Sequence, residues 1–453
     1  MARAKKEAAL TPEERLQAAL VPDWERPYKL PENWCWTTVG AINQYVGISA
    51  DPTKAKNETF ELYSVPSSAD NYPEIVLGAD IGSAKQSVKK GDVLLCKINP
   101  RINRVWKVSK YTDHSLLASS EWIVIRNSRL ISNYLMWCLR SPYFRGYMLS
   151  NVSGVGGSLM RAQPKFVQGY PIPVPPLAEQ QRIVDRIESL FAKLDEAKEK
   201  AQAVVDSFET RKAAILHKAF TGELTAKWRE EHGVGMESWE HHQFSDLCAI
   251  VRGGSPRPAG DPRYYDGNIP FMKVADITRN DSPYVSKVEY SIKEEGLKKT
   301  RMVEANTLLL TNSGATLGVP AITTIRTTFN DGIAAFIGLD IDSLLFYYYF
   351  WTSKTAFLRS INMGAAQPNL NTKLIGEVEI DVPQTTERIE IARILNALLT
   401  KEQQAKESAE AVLDQIDLMK KSILARAFRG ELGTNDPSEE SAVELLKEII
   451  RRG

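Results

Sequence analysis

The sequence predicts an α+β chain: two mixed α/β domains separated by two long helices, which pair as an antiparallel intramolecular coiled coil with a pseudo-twofold repeat. Three observations predict it. The first is an ungapped internal repeat at an offset of 208 residues: Ile215–Leu224 lies over Ile423–Leu432, and across 174–224 against 382–432, 21 of 51 positions are identical. Such self-similarity marks duplication. The second is a heptad seam in both copies, and the third is a pair of similar-length segments of short β-type runs beside them.

Taken in order, an N-terminal arm (1–33) carries a short helix over 12–20, because Thr11-Pro-Glu-Glu14 reads as a capping box with proline in the first turn. The first α/β domain spans 34–173. It opens on Trp34, and Gly91–Pro100 reads as a strand entering a polar loop. An aromatic helical stretch, Tyr134–Leu139, reads mainly as core, and a Gly-containing loop, 154–158, precedes the exit. A helix fills 174–224, with Pro175-Pro176 before it and Gly222 at its left-handed end. A polar linker (225–238) leads to the second domain (239–381), which repeats this order with Trp239, Ala305–Gly314, Phe346–Trp351 and the loop 364–369. The second helix (382–432) ends at Gly430. A tail (433–453) is expected to form a helix over about 437–451, with Asp436-Pro-Ser-Glu439 as its capping box.

The first seam runs through Ile183, Ile187, Leu190, Leu194, Ala197, Ala201, Val204, Phe208, Arg211 and Ile215. The second runs through Ile391, Leu395, Leu398, Glu402, Ala405, Ala409, Val412, Ile416, Met419 and Ile423. Alternating steps of four and three keep one stripe facing a partner helix. Arg211 and Glu402 interrupt the seams, and are free to pair with each other, snorkel or meet a partner protein.

Composition excludes several classes. With 43% hydrophobic and 25% charged residues, the 453-residue chain is globular and large enough for several folded units. No apolar run reaches the roughly 18 residues of a membrane helix, and the charged N-terminus lacks a signal peptide's apolar core, so the cytoplasm is expected. Cysteines 35, 96, 138 and 248 form no CxxC pair. His241-His242 with Cys248 supply three ligands without a fourth, and no metal site is expected. No GxxxxGK[ST] loop occurs, and Asn99-Pro100 is followed by Arg101 rather than by the Pro-Tyr/Phe of an adenine-methylation motif. No catalytic residue is assigned. From Trp34 to Tyr170 there are 16 Lys/Arg against 9 Asp/Glu; from Glu240 to Ile380 there are 14 against 15. Only the first domain carries a global charge suited to phosphate.

At Pro171–Ile183 (PIPVPPLAEQQRI), Lys218–Leu224 (KAFTGEL) and Arg426–Leu432 (RAFRGEL), the chain resembles the specificity subunit of Type I restriction-modification systems, over about 31–433. The resemblance implies that each α/β domain is a target-recognition domain reading one half of a split double-stranded DNA site. It also implies that the helices act as a spacer and dock two methyltransferase subunits, and that a restriction and translocation subunit joins them. The S-adenosylmethionine, ATP and Mg chemistry would then reside in those partners, with no cofactor in this chain. Two other readings stay open: a self-contained methyltransferase-nuclease, which the missing motifs disfavour, and a coiled-coil adaptor that never reads DNA.

Arginine reads guanine and asparagine adenine at major-groove edges, while cations hold phosphate. On that chemistry the candidate DNA-binding residues in the first domain are Lys97, Asn99, Arg101, Asn103, Arg104 and Lys107, then Arg161 and Lys165. In the second they are Arg252, Arg257, Lys273, Asn312, Ser313, Gln367, Asn369 and Lys373. A solvated loop or plain turn is the alternative at each.

Overall fold

Strands buried on both faces read as unbroken apolar runs, and one such run organises each half of the chain. The computed structural model describes residues 10–153, 160–314, 316–360 and 370–451. The backbone divides into two compact units, 1–200 with 411–453 and 201–410, so each unit takes a segment of both long helices.

In the first unit Val93–Cys96 is the central strand of a three-stranded antiparallel sheet, between Val105–Lys107 and Trp122–Ile125. Successive side chains point to opposite faces. Val93 and Leu95 therefore join the core beneath the helix Ser132–Arg140, while Leu94 and Cys96 join a second cluster with Tyr63, Trp106 and Trp122. In the second unit Thr307–Thr311 does the same: Leu308 and Leu310 face the aromatic helix Leu344–Ser360, and Leu309 faces the opposite cluster. Both aromatic stretches are core, as expected, with Tyr134, Phe346, Phe350 and Trp351 buried. Each α/β half is closed by an antiparallel pair joining its first and last strands, Cys35–Thr38 with Pro171–Val174 and Glu240–Gln243 with Glu379–Val382. The polar loops singled out in the sequence lie beyond the central strand's end.

The N-terminal helix α1 (Pro12–Ala19) carries the expected capping box: Glu14 N donates to Thr11 Oγ1 at 3.2 Å and Thr11 N to Glu14 Oε2 at 2.7 Å. The first long helix is split at Ser207 into α2 (Leu177–Asp206) and α3 (Phe208–Phe220), where the Ser207 hydroxyl donates back to Ala203 O. A serine bonding the carbonyl four residues back bends a helix. The second, α4 (Thr385–Ala427), is continuous over 43 residues. The C-terminal helix α5 runs from Ala442 to Arg451. Its start corrects the expected 437, because Asp436 caps a local turn through Ser438 and the Glu439 carboxylate is taken by Arg182.

Within each unit the two helices run antiparallel. In the first unit Asp195 on α2 pairs with Lys420 on α4, and the Lys420 ammonium lies 5.1 Å from the Phe191 ring. In the second, Arg211 Nε meets Glu402 Oε2 at 2.7 Å, which settles the fate of the two seam interruptions: they pair. The first-copy seam stands as read, with Ile183, Ile187, Ala201 and Phe208 buried and Leu190, Leu194, Ala197 and Val204 half-buried. The second departs from its expected register. Ile391, Leu395, Leu398, Ala409 and Ile416 are covered, but Ala405, Val412 and Met419 are exposed, and Lys406, Leu413 and Lys420 take their places. Steric pattern alone favoured the alanine. The ammonium of Lys406 lies 4.9 Å from the Phe208 ring and Lys420 pairs with Asp195, so these side chains cover the seam in place of Ala405 and Met419. Fully burying residues such as Ile183 and Ile391 contributes roughly 1.5–3 kcal/mol each.

Among the described residues no helix is long and apolar enough to cross a membrane.

Candidate nucleic-acid interface

In the first unit the loop after Val93–Cys96 turns on two left-handed asparagines, Asn99 (φ 46°) and Asn103 (φ 52°). Asparagine tolerates this region better than most residues with a Cβ. Ile102 N donates to Asn99 O at 3.1 Å, and Cys96 N to Arg104 O at 3.0 Å. The segment from residue 160 is stitched to this loop, with Asn99 N donating to Met160 O and Ala162 N to Lys97 O, both at 2.8 Å. The fold therefore gathers Lys97, Asn99, Arg101, Asn103, Arg104 and Arg161, with Lys165 on the adjoining turn Pro164–Val167. The Cys96 thiol is pushed up by burial, with Arg104 opposing that shift.

Lys107 is not part of this group. It pairs across from Val93 at the other end of the strand, where its ammonium donates to Asn133 Oδ1 at 2.6 Å, and Asn133 Nδ2 donates to Glu188 of α2. Sequence reading missed the anion that organises the rest. Glu121 forms ion pairs with Arg161 at 3.3 Å and Lys97 at 3.8 Å, holding both cations near it without neutralising the loop.

The second unit repeats the frame with other side chains. Asn312 stands where Lys97 stands: its N donates to Gly332 O at 2.9 Å as Lys97 N does to Glu121 O at 3.1 Å, and Leu370 N donates to Asn312 O. The Asn312 side chain is fully buried, and neither its Nδ2 nor its Oδ1 has a partner. Ser313 is half-buried beside it. Gln367 and Asn369 lie outside the described residues, as does the 154–158 loop. Lys373, on the turn Thr372–Gly376, pairs with Glu377 at 3.7 Å. It matches Lys165 at the 208-residue offset.

Arg252, Arg257 and Lys273, far apart in sequence, lie around Asp331 and its neighbours. Arg252 Nε donates to Asp331 O at 2.7 Å, Arg257 meets the Asp331 carboxylate at 3.6 Å, and Ser255 Oγ donates to it at 2.5 Å. The Lys273 ammonium sits 3.1 Å from the Tyr290 ring centroid. Arg257, Lys273 and Asp331, with Tyr265 and Asn330 but not Arg252, line a recess of about 260 Å³. Burial pushes the Tyr265 phenol above its ordinary range, with Arg257 opposing. In the first unit, then, a carboxylate beside the central strand gathers cations on one loop, and in the second Asp331 gathers two arginines from separate segments. Such an array has the chemistry to pair with a polyanion and to offer hydrogen bonds to what lies against it.

His241 and His242 do not converge with Cys248. His241 Nδ1 lies 2.8 Å from Asp381 and His242 Nε2 3.3 Å from Glu240.

Sequence reading also missed a lock at the start of each long helix. Glu179 and Glu387 are equivalent at the offset of 208, and both are buried. Glu387 accepts Thr225 Oγ1 and Arg229 Nη1 at 2.7 Å each and Trp239 Nε1 at 3.1 Å, while Arg229 Nη2 donates to Gly222 O. Glu179 accepts Thr434 Oγ1 at 2.6 Å and Arg182 Nε at 3.1 Å, and burial pushes its carboxyl above the usual range. Arg182 also grips Glu439, and Trp34 Nε1 donates to Asn435 Oδ1 at 3.0 Å. Each first tryptophan is thus anchored where one helix begins and the other ends. The identity at 179/387 within the repeat was the available signal.

The family described as "Type I restriction modification DNA specificity domain" matches residues 47–205 and 236–411. The Type I restriction enzyme EcoKI specificity subunit of Escherichia coli K12 is 22% identical, over 93% of this chain and 96% of its own length. The StySPI specificity subunit of Salmonella potsdam is 23% identical over the same shares. The crystal structure of the HsdS subunit from Thermoanaerobacter tengcongensis shares the fold, with a TM-score of 0.65, 21% identity, and coverage of 90% of this chain and all of that one. With the family model matching in both halves, over 47–205 and 236–411, this chain belongs to the Type I restriction-modification DNA specificity family.

Proposed function

We propose that the chain is the sequence-reading subunit of a Type I restriction-modification complex, with each α/β domain reading one half of a bipartite duplex site. The observation that carries this is the pair of equivalent loops. One backbone frame presents lysine, asparagine and arginine in the first unit and asparagine, serine and glycine in the second, as two readers of different sequence require. The long helices set the spacing between half-sites and dock two methyltransferase subunits, and a restriction and translocation subunit completes the assembly. N6-adenine methylation with S-adenosylmethionine, and ATP- and Mg-dependent cleavage, belong to those partners. Each methyltransferase flips its adenine from the stack.

Co-expression with the methyltransferase subunit, followed by mapping of N6-methyladenine across a host genome, tests the reading. A bipartite motif is expected, and a continuous motif or none would sink it. Inserting or deleting four residues near Ala201 should change the number of unspecified bases, and exchange of 34–173 for another family member's domain should alter one half-site only. Steep salt dependence of duplex binding separates this function from a DNA-blind adaptor.

A further inference from the structure

After the central strand each unit has two positions of positive φ four residues apart, Asn99 and Asn103 in the first and Gly314 and Gly318 in the second. All four residues have positive φ: 46° and 52° in the first unit, 77° and 83° in the second. In each turn the fourth residue's N–H donates to the first residue's carbonyl, Ile102 N to Asn99 O at 3.1 Å and Leu317 N to Gly314 O at 3.2 Å. That fourth side chain is apolar in both units, but its surroundings are opposite. Leu317 is 1% exposed and packs into the core beside the aromatic helix, whose Arg359 Nε donates to its carbonyl at 2.9 Å. Ile102 is 53% exposed.

The fold gains little from an isoleucine exposed to water. Glycine would meet the two left-handed positions without steric cost. The first unit uses asparagines there, and the Oδ1 atoms of both are buried without a partner. The exposed isoleucine is flanked by Arg101 and Arg104, with Lys97 and Arg161 tied to Glu121 nearby. This is an electropositive setting with one apolar point at its tip. In the major groove the apolar feature that distinguishes base pairs is the 5-methyl group of thymine. A β-branched side chain, stiff about χ1, suits a fixed contact of that size.

We propose that Ile102 is a specificity-determining residue that packs on the 5-methyl group of one thymine in the half-site read by residues 34–173. This rests on the DNA-reading function proposed above. The test uses the assembled complex with its methyltransferase subunit, on duplexes carrying the mapped site, with each thymine of that half-site replaced in turn by deoxyuridine. One replacement should weaken binding about fourfold, the weight of one methyl group withdrawn from water. Ile102→Ala should bind the intact site more weakly and no longer distinguish thymine from deoxyuridine at that position. Replacements in the other half-site should act equally on both proteins. Indifference of the unsubstituted complex to every replacement, or equal sensitivity in Ile102→Ala, overturns the contact. So does base unstacking, reported by 2-aminopurine, that Ile102→Ala abolishes, since the side chain would then be a wedge. A complex that fails to prefer the mapped site over a scrambled duplex overturns the DNA-reading function instead.

Discussion

Replacing Glu387 with alanine should open the second unit selectively. Its carboxylate is 1% exposed and takes three donors within 3.1 Å, while Arg229, its charge partner, is 7% exposed. Removing one member of a buried ion pair leaves the other charge without compensation, at a cost of about 3–5 kcal/mol. Arg229 keeps its 2.6 Å bond to Gly222 O, so the lower end, about 3 kcal/mol, is expected. Glu387→Gln keeps an acceptor but loses the charge, and should cost about half as much. Glu387→Leu with Arg229→Met replaces the pair by apolar groups, and should lie within about 1 kcal/mol of the parent. Hydrogen exchange by mass spectrometry on the full chain reads this locally. Peptides from 220–245 and 385–410 in Glu387→Ala should exchange roughly 100-fold faster at their slowest amides, since 1.4 kcal/mol is a factor of ten. Peptides from 30–60 serve as the internal reference. An acceleration under about tenfold in the single variant, or a double variant as damaged as the sum of the singles, would refute the buried-pair account.

Gly430→Ala should destabilise the first unit by about 2–3 kcal/mol: its φ is 75°, and an added Cβ would lie 2.4 Å from Pro31 Cγ. Gly222→Ala meets the more flexible Met236 Sδ at 2.6 Å, so it should cost less, and the reverse order in thermal denaturation contradicts the packing described. All four thiols are pushed up by burial, Cys35 and Cys248 to about 12, so a disulfide reagent at pH 8 should modify them only on unfolding. Labelling of any of the four within seconds in native buffer counts against this. The imidazole of His241 is held above 6.5, chiefly by its hydrogen bond to Asp381. Because the folded value is raised, its contribution to the pairing of Glu240–Gln243 with Glu379–Val382 is fully present below pH 6.5 and is lost as pH rises through the folded value. An NMR titration of His241 should show a midpoint above 6.5 that falls in Asp381→Asn, and a midpoint at or below 6.5 in the parent removes the prediction.

Helix pairing and its antiparallel sense were legible because periodicity and duplication are properties of sequence. The seam register in α4 was not, since Ala405 and Lys406 differ only in which contact each side chain finds, and Lys406 finds the face of Phe208. The gathered loop was partly legible. Lys97 to Arg104 are neighbours in the chain, whereas Arg161 joins them through backbone bonds, and Lys107 leaves because the next strand carries it along the sheet.

By itself the sequence determined the order of the elements, the two-copy plan, the left-handed glycines at the helix ends and the family. Each of these depends on local stereochemistry or on repetition. Only the tertiary structure decided which carboxylates organise the cations, why Glu179 and Glu387 are buried, and that Ile102 faces water where Leu317 faces core. Those outcomes depend on groups tens to hundreds of residues apart meeting at hydrogen-bond distance, which no local pattern encodes.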